Sequence, residues 1–463
     1  MTQWPARSQS RPKVPASACL LALAFWVFVP AHAGAEDILD EANTIAERVG
    51  QIRGLPPKGM ITNGFKSREE LRAVVETKLA EEYSAERIAN DGDMLVRLGM
   101  LAPGTDYGKL IVELLTEQIA GFYDHETDEL YLIQGADPAT QRITIAHEIF
   151  HGIQDQHFDL ATVIPPRTGP FGRERNDDFS LATSALVEGD ATILMFDFTY
   201  QENGLLPANT SLIDSPLFDS FITPMLENMD PGAMGQSPTL ASAPPWLGQL
   251  LVFPYLRGMG FVAALRRGTG DWDKVNAAYA DPPRSTEHIL HPDKYLAGEA
   301  PIGVVLDANA LAQAAAIGGF GPWAPIYDNV MGELQLGLWL VELGLDKDSA
   351  ARAAAGWGGD RILGFRHADG RVLGVLASVW DSEADAIEFA GALERATAAH
   401  RPSFDATVRR GAHGQFVCGT DGEERLTIER WGSWVVWTAG LPADAPSRNL
   451  RKAIWDARRI ALY

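Results

Sequence analysis

His147, Glu148 and His151 stand in the run His147-Glu148-Ile149-Phe150-His151. Four residues make slightly more than one helical turn, so on a helix both imidazoles project from the same face. Two imidazoles on adjacent turns can hold one zinc ion. A carboxylate beside the first of them can take a proton from a water that zinc has made acidic, and that water then attacks a polarised carbonyl. Glu148 is the candidate general base. Ile145, Ala146, Ile149 and Phe150 give these polar residues the apolar setting that a buried active-site helix needs.

A catalytic zinc usually takes three protein ligands and keeps one position open. Two residues compete for the third place. His157 has the spacing of the pattern His-Glu-x-x-His-x-x-Gly-x-x-His, but Gln154 stands where that pattern has its helix-breaking glycine. A helix continuing through Gln154 points His157 about 80° away from His147, and Gly152 comes two residues too early to repair this. Glu188 lies 37 residues beyond His151, among Leu181, Ala185, Leu186, Thr192, Leu194 and Met195. A carboxylate in an apolar helix needs a cation, and zinc is the obvious one. Glu188 is the better supported ligand. For a donor to the developing oxyanion, His291 is the leading candidate, fixed between an apolar pair and Pro292, with His288 and Tyr255 behind it. Asp155 and Asp190 are further candidates to accept from the second nitrogen of a ligand histidine.

The elements that must position these groups can be read from periodicity. Leu39, Ala42, Ile45 and Val49, then Leu71, Val75, Leu79 and Tyr83, recur at helical spacing, and Ser67 with Glu70 forms a capping box. Residues 110–120 read as a helix. Phe122-Tyr123 and Glu129 to Ile133, separated by a polar stretch, read as a β-hairpin leading into the histidine helix. Residues 161–178 read as a loop, and a helix from about Phe179 to Asp197 carries Glu188. Residues 203–245 read as an irregular excursion before a helix at 246–267. From about 326 a smaller module begins, with helices at 331–344 and 348–355, strands near 361–367 and 371–379, a helix to about His400, and strands near 414–418, 424–430 and 433–438. Trp357, Trp380, Trp431, Trp434 and Trp437 in this module serve either core packing or a carbohydrate-binding face. Cys418 is expected as a small buried hydrophobe.

Residues 122–196 resemble the core of a zincin-type metallopeptidase, and a glutamate ligand on a second helix resembles the gluzincin type. The resemblance implies zinc-assisted hydrolysis of peptide bonds, with His147, His151 and Glu188 on the metal and Glu148 as base and then acid. It implies that Glu129 to Ile133 is an exposed edge along which a peptide or protein substrate lies by strand addition. One departure is that the gluzincin pattern has an aspartate four residues after its glutamate, where this chain has Thr192.

The first 33 residues differ from the rest. Arg7, Arg11 and Lys13 precede a 12-residue apolar run, Ala18 to Val29, and Ala31-His32-Ala33 follows. That is the pattern of a secretory signal peptide cleaved before Gly34. Twelve residues are too few to span a bilayer as a helix, and no later segment reads as a span. Removal would move the formal charge from −22 to −25. An acidic surface argues against nucleic acid and anionic membranes as partners.

The expectation is an α+β chain: a signal peptide (1–33), a zincin-like domain (34–325) built from a mixed-sheet edge hairpin and active-site helices, and a smaller α+β module (326–463). It would be secreted or periplasmic, with no stable membrane insertion after leader removal. The competing readings are a metal-containing binding or scaffold protein without turnover, and a zinc hydrolase of a non-peptide substrate. Glu148 argues against the first, because a site without turnover has no need of it.

Overall fold

The computed structural model describes residues 20–23, 39, 41–125, 127–135, 138–164, 175–228, 238–267, 270–317, 321–411, 414–457 and 459–461. The leader and its cleavage point lie outside the described residues, except for a strand at Leu20–Leu23 (β1). The chain is α+β, with two main sheets.

The first sheet is small and mixed. Thr62–Lys66 (β2), Ile119–Asp124 (β3) and Glu129–Ile133 (β4) join β1 in the order β1-β3-β4-β2. The expected hairpin is present as the antiparallel pair β3–β4. Its second strand is not an edge, however. β2 pairs with it in parallel, Thr62 opposite Glu129 through Lys66 opposite Ile133. Both sides of β4 are therefore hydrogen-bonded, and no peptide can be added there.

A long helix, Pro138–Phe158 (α2 below), lies across this sheet. It is preceded in the chain by Ala42–Arg53 (α1). Ile145, Ala146, Ile149, Phe150 and Ile153 of α2 form one buried cluster with Leu130, Leu132 and Tyr123 of the sheet and Ile45 and Val49 of α1. Burial of each large apolar side chain contributes about 1.5–3 kcal/mol, so the sheet holds the histidine helix at a fixed height. The helix runs through Gln154 without a break, as the absence of glycine there requires.

Asp177–Glu202 (α3) crosses behind α2 and is buried along nearly its whole length. Its N-cap is Asn176, whose side chain accepts from the Phe179 N–H. Pro245–Arg267 (α4) packs against α3. Both helices are long and apolar enough to cross a membrane, contrary to the sequence reading, but 83% and 61% of their apolar windows are buried inside this chain. Their apolarity is used for packing on each other and on the core.

The second sheet is antiparallel, seven strands in the order β6-β7-β8-β12-β11-β10-β9. Its members are Trp323–Asn329 (β6), Trp357–His367 (β7), Val372–Trp380 (β8), Asp405–Arg410 (β9), Gly414–Asp421 (β10), Glu424–Trp431 (β11) and Trp434–Pro442 (β12). A separate short pair joins Gly303–Val305 (β5) to Arg459–Ala461 (β13). This C-terminal unit therefore draws in strands from before residue 326. Trp357, Trp380 and Trp437 are buried in it, whereas Trp431 is 62% exposed. Cys418 is half-buried rather than buried.

Candidate metal centre

His147 and His151 face the same way from α2, and Glu188 meets them from α3. The His147 Nε2 lies 2.9 Å from the His151 Nε2 and 3.1 Å from Glu188 Oε2, and the His151 Nε2 lies 3.4 Å from the same oxygen. Donors bound tetrahedrally at about 2.0–2.1 Å from zinc are about 3.3 Å apart. A triangle with edges of 2.9, 3.1 and 3.4 Å is close to that spacing and accepts one ion on its face. Two imidazoles and one carboxylate are the donor set that suits zinc.

All four motif residues are buried, with Glu188 the most exposed at 4%. Burial pushes the Glu188 carboxyl up, but His151 and His147 beside it outweigh this and hold it at about 2. Burial, helped by the neighbouring His151, lowers His147. Burial also opposes charge on His151, but Glu188 next to it carries it above its ordinary value. The cluster is thus a buried anion facing two nitrogen donors. Glu148 follows His147 on α2 and acts electrostatically on both His151 and Tyr255.

The other nitrogen of His151 is held. Its Nδ1 lies 2.7 Å from Gln154 Oε1, and the Gln154 amide nitrogen donates to the Val187 carbonyl at 3.0 Å and to the Tyr279 hydroxyl at 2.7 Å. For His147, the Ala191 backbone acts on the ring from α3 in addition to Glu188, and more weakly.

Tyr255, on α4, brings its ring to 6.2 Å from that of His147, with 30° between the ring planes. Its hydroxyl donates to Glu188, and burial with the Glu188 and Glu148 charges pushes its pKa well above the ordinary tyrosine value. Tyr255 is therefore the phenol at the cluster.

His291, the leading expectation for this position, is elsewhere. Its Nε2 is 2.9 Å from Glu333 Oε1, and that hydrogen bond raises its pKa, with Glu287 and Lys294 the further charges acting on it. The acids around Lys294 form a second group, Glu287, Glu299 and Asp381. Lys294 Nζ occupies its centre, at 2.6, 3.0 and 2.6 Å from the three carboxylates, so the cation there is the protein's own. His288 bonds the Glu299 carbonyl at 2.8 Å. His157 turns outward from the end of α2 to the Pro56 carbonyl at 2.9 Å. Asp155 accepts from Tyr123 at 3.2 Å and from the Leu160 N–H at 2.9 Å, and so is turned to partners other than His147 and His151.

Sequence reasoning missed Gln154, Tyr279 and Arg53 in these surroundings. Gln154 had a local signal, three residues after His151 on the same helix. Tyr279 and Arg53 had none.

Neither a curated protein nor a solved structure matches the chain. Residues 293–450 match the family described as a domain of unknown function (DUF8575). That stretch covers the whole seven-stranded sheet and begins after the metal-centre residues. The match does not reach the histidine and glutamate cluster.

Proposed function

We propose that the chain is an exported zinc-dependent metallopeptidase of gluzincin type, with a zincin-like unit formed by the first sheet, α2, α3 and α4. The observation that carries this reading is the meeting of His147, His151 and Glu188 donor atoms in one buried triangle, with Glu148 alongside. Zinc held there would supply a Lewis acid for the scissile carbonyl and would lower the pKa of water toward neutrality.

The chain's own residues would supply the rest. Glu148 takes a proton from the attacking water and returns it to the leaving amine nitrogen. Tyr255 supplies an O–H donor for the developing oxyanion. Gln154 holds His151 in orientation through its Nδ1. The substrate edge is reassigned from β4 to β3. β3 packs against α2, and its outer side is paired by Leu20–Leu23, with Leu20 opposite Tyr123 and Leu21 opposite Phe122. A protein lacking the first 33 residues would offer that edge to an extended peptide. The four site residues are buried, so the surrounding protein excludes bulk water from the reacting groups, which strengthens every electrostatic term there.

The test is a metal analysis followed by digestion of a peptide library, with products identified by mass spectrometry. Wild type is expected to contain about one zinc per chain and to cleave peptides, with Glu148→Gln retaining zinc and losing cleavage. Absence of zinc from the wild type overturns the reading.

A further inference from the structure

A run of buried polar groups leads from the metal centre to the far end of α1. Arg53, the last residue of α1, is 1% exposed and Asp190 is fully buried. Arg53 Nε lies 2.8 Å from Asp190 Oδ1 and its Nη2 lies 3.1 Å from Oδ2. The same Nη2 donates to Asn276 at 2.9 Å, and the guanidinium sits 4.2 Å over the Trp272 ring. The Tyr279 hydroxyl is 2.8 Å from Asp190 Oδ2. Beyond Tyr279 the run continues through Gln154 to His151 Nδ1, over two bonds of 2.7 Å.

The direction of every bond in this run follows from donor and acceptor inventory. Arginine has only donors and stays charged, so both oxygens of Asp190 accept from it as its carboxylate counter-ion. An ionised Asp190 can only accept, so Tyr279 gives it the hydroxyl proton. Burial and the Asp190 charge keep that proton on Tyr279. The Tyr279 oxygen then faces Gln154 as an acceptor, which fixes the amide nitrogen on that side. The second amide proton goes to the Val187 carbonyl. The Gln154 carbonyl is left facing His151, so the His151 Nδ1 must carry a hydrogen. In the neutral ring the Nε2 then keeps the lone pair, directed at the triangle of donors.

We propose that Arg53, Asp190, Tyr279 and Gln154 form a positioning relay that holds His151 as the Nδ1–H tautomer and thereby sets the affinity of the metal centre. The proposal rests on the zinc reading of the site and adds a set of residues that touch neither metal nor substrate. It also assigns α1 to the permanent fold. The guanidinium that starts the relay is at the C-terminal end of that helix, so α1 is not a removable lid over the site.

Two measurements on the full chain without its leader test the relay. The first is long-range proton–nitrogen NMR of the imidazoles in chelator-treated wild type, which reports the His151 tautomer whether or not zinc is bound. At a pH where the His151 ring is neutral, Nδ1–H with a bare Nε2 is expected, and Nε2–H with a bare Nδ1 overturns the relay. The second is zinc affinity by competition with a chromophoric chelator. Tyr279→Phe removes one oxygen and keeps the ring stacked on Phe158, 3.9 Å away. It is expected to weaken zinc binding about 10–100-fold, as is Gln154→Met, which leaves Tyr279 and Asp190 intact. Affinities within twofold of wild type for both variants overturn the relay and leave the metallopeptidase reading standing. A wild type that takes up no zinc overturns the metallopeptidase reading, and the tautomer measurement still decides the relay.

Discussion

Gly189 and Gly258 are the point at which the helix carrying Glu188 and the helix carrying Tyr255 touch backbone to backbone. A Cβ on Gly189 would lie 2.1 Å from the carbonyl carbon of Gly258, and one on Gly258 would lie 2.0 Å from the carbonyl oxygen of Ala185. Glu188 precedes one glycine, and Tyr255 is three residues before the other. The close approach therefore sets the distance between the ligand carboxylate and the phenol. A methyl group at either position must push α3 and α4 apart, because the obstructing atoms are backbone and cannot rotate away. Gly258→Ala is expected to lower stability by about 2 kcal/mol or more and to weaken zinc binding, although it removes no ligand. Urea denaturation and chelator competition on the same preparation check both. A variant as stable as wild type, with unchanged zinc affinity, would show that the contact is incidental.

The ligand assignment separates Glu188 from His157. Glu188 supplies the third donor to the triangle, and His157 bonds a backbone carbonyl at the exposed end of α2. Glu188→Ala should lose zinc at micromolar free metal, because a site with two imidazoles is left. His157→Ala should keep full metal content and nearly full activity. Zinc content by atomic emission after gel filtration distinguishes the two. Loss of zinc in the His157 variant alone would reverse the assignment.

Parts of this centre were legible in the sequence because their geometry is local. His147 and His151 lie within one turn of helix, so their spacing alone places both rings on one face. Glu188 could be found from its apolar neighbours, since a carboxylate at such a position implies a counter-charge. The capping box of Ser67 and Glu70 is present as read, and so is the β3–β4 hairpin. What failed depended on partners distant in the chain. Thr62-Asn63-Gly64-Phe65-Lys66 has no strand pattern, yet it pairs with β4 and turns an expected edge into an interior strand. Tyr255, in an apolar helix after Pro254, reads only as a weaker oxyanion donor behind His291, which stands beside Pro292. Both segments pack on α3, and their roles are decided by the partners they meet: Tyr255 meets His147 and Glu188, and His291 meets Glu333. Gln154 was read only as a missing glycine, although the same side chain holds His151.

Glu148 and Tyr255 should separate in their effects from the ligands. If Glu148 is the general base of the proposed reaction, Glu148→Gln should lower kcat by about 10²–10⁴-fold without loss of zinc. Tyr255→Phe removes the donor to Glu188 and to the oxyanion position. It should lower kcat by about 10²–10³-fold, with KM for a short peptide changed far less. Steady-state kinetics on one fluorogenic peptide, with zinc content measured in parallel, checks both. A fall in zinc content matching the fall in rate for Tyr255→Phe would make it a support of Glu188 only.

Asp197 gives a stability prediction independent of the metal centre. It is buried on α3, and its Oδ1 accepts from the Leu212 N–H at 2.5 Å. Burial pushes its carboxyl up to about 7, against the pull of Leu212, Ser211 and Arg266, with Asp214 adding to the rise. Its unfolded value is near 3.9. Between these two values the folded chain binds more protons than the unfolded chain, so this group's contribution to stability falls as pH rises from about 4 through 7 and is constant above. Asp197→Asn keeps an acceptor for Leu212 and removes the ionisation. The variant is therefore expected to gain on wild type by on the order of 2–4 kcal/mol between pH 4.5 and pH 8. Urea unfolding across that range, in EDTA so that metal uptake does not contribute, measures the difference. A constant gap between the two proteins would mean that Asp197 ionises at its ordinary pH in the folded chain, with the Leu212 N–H and Arg266 offsetting the whole cost of its burial.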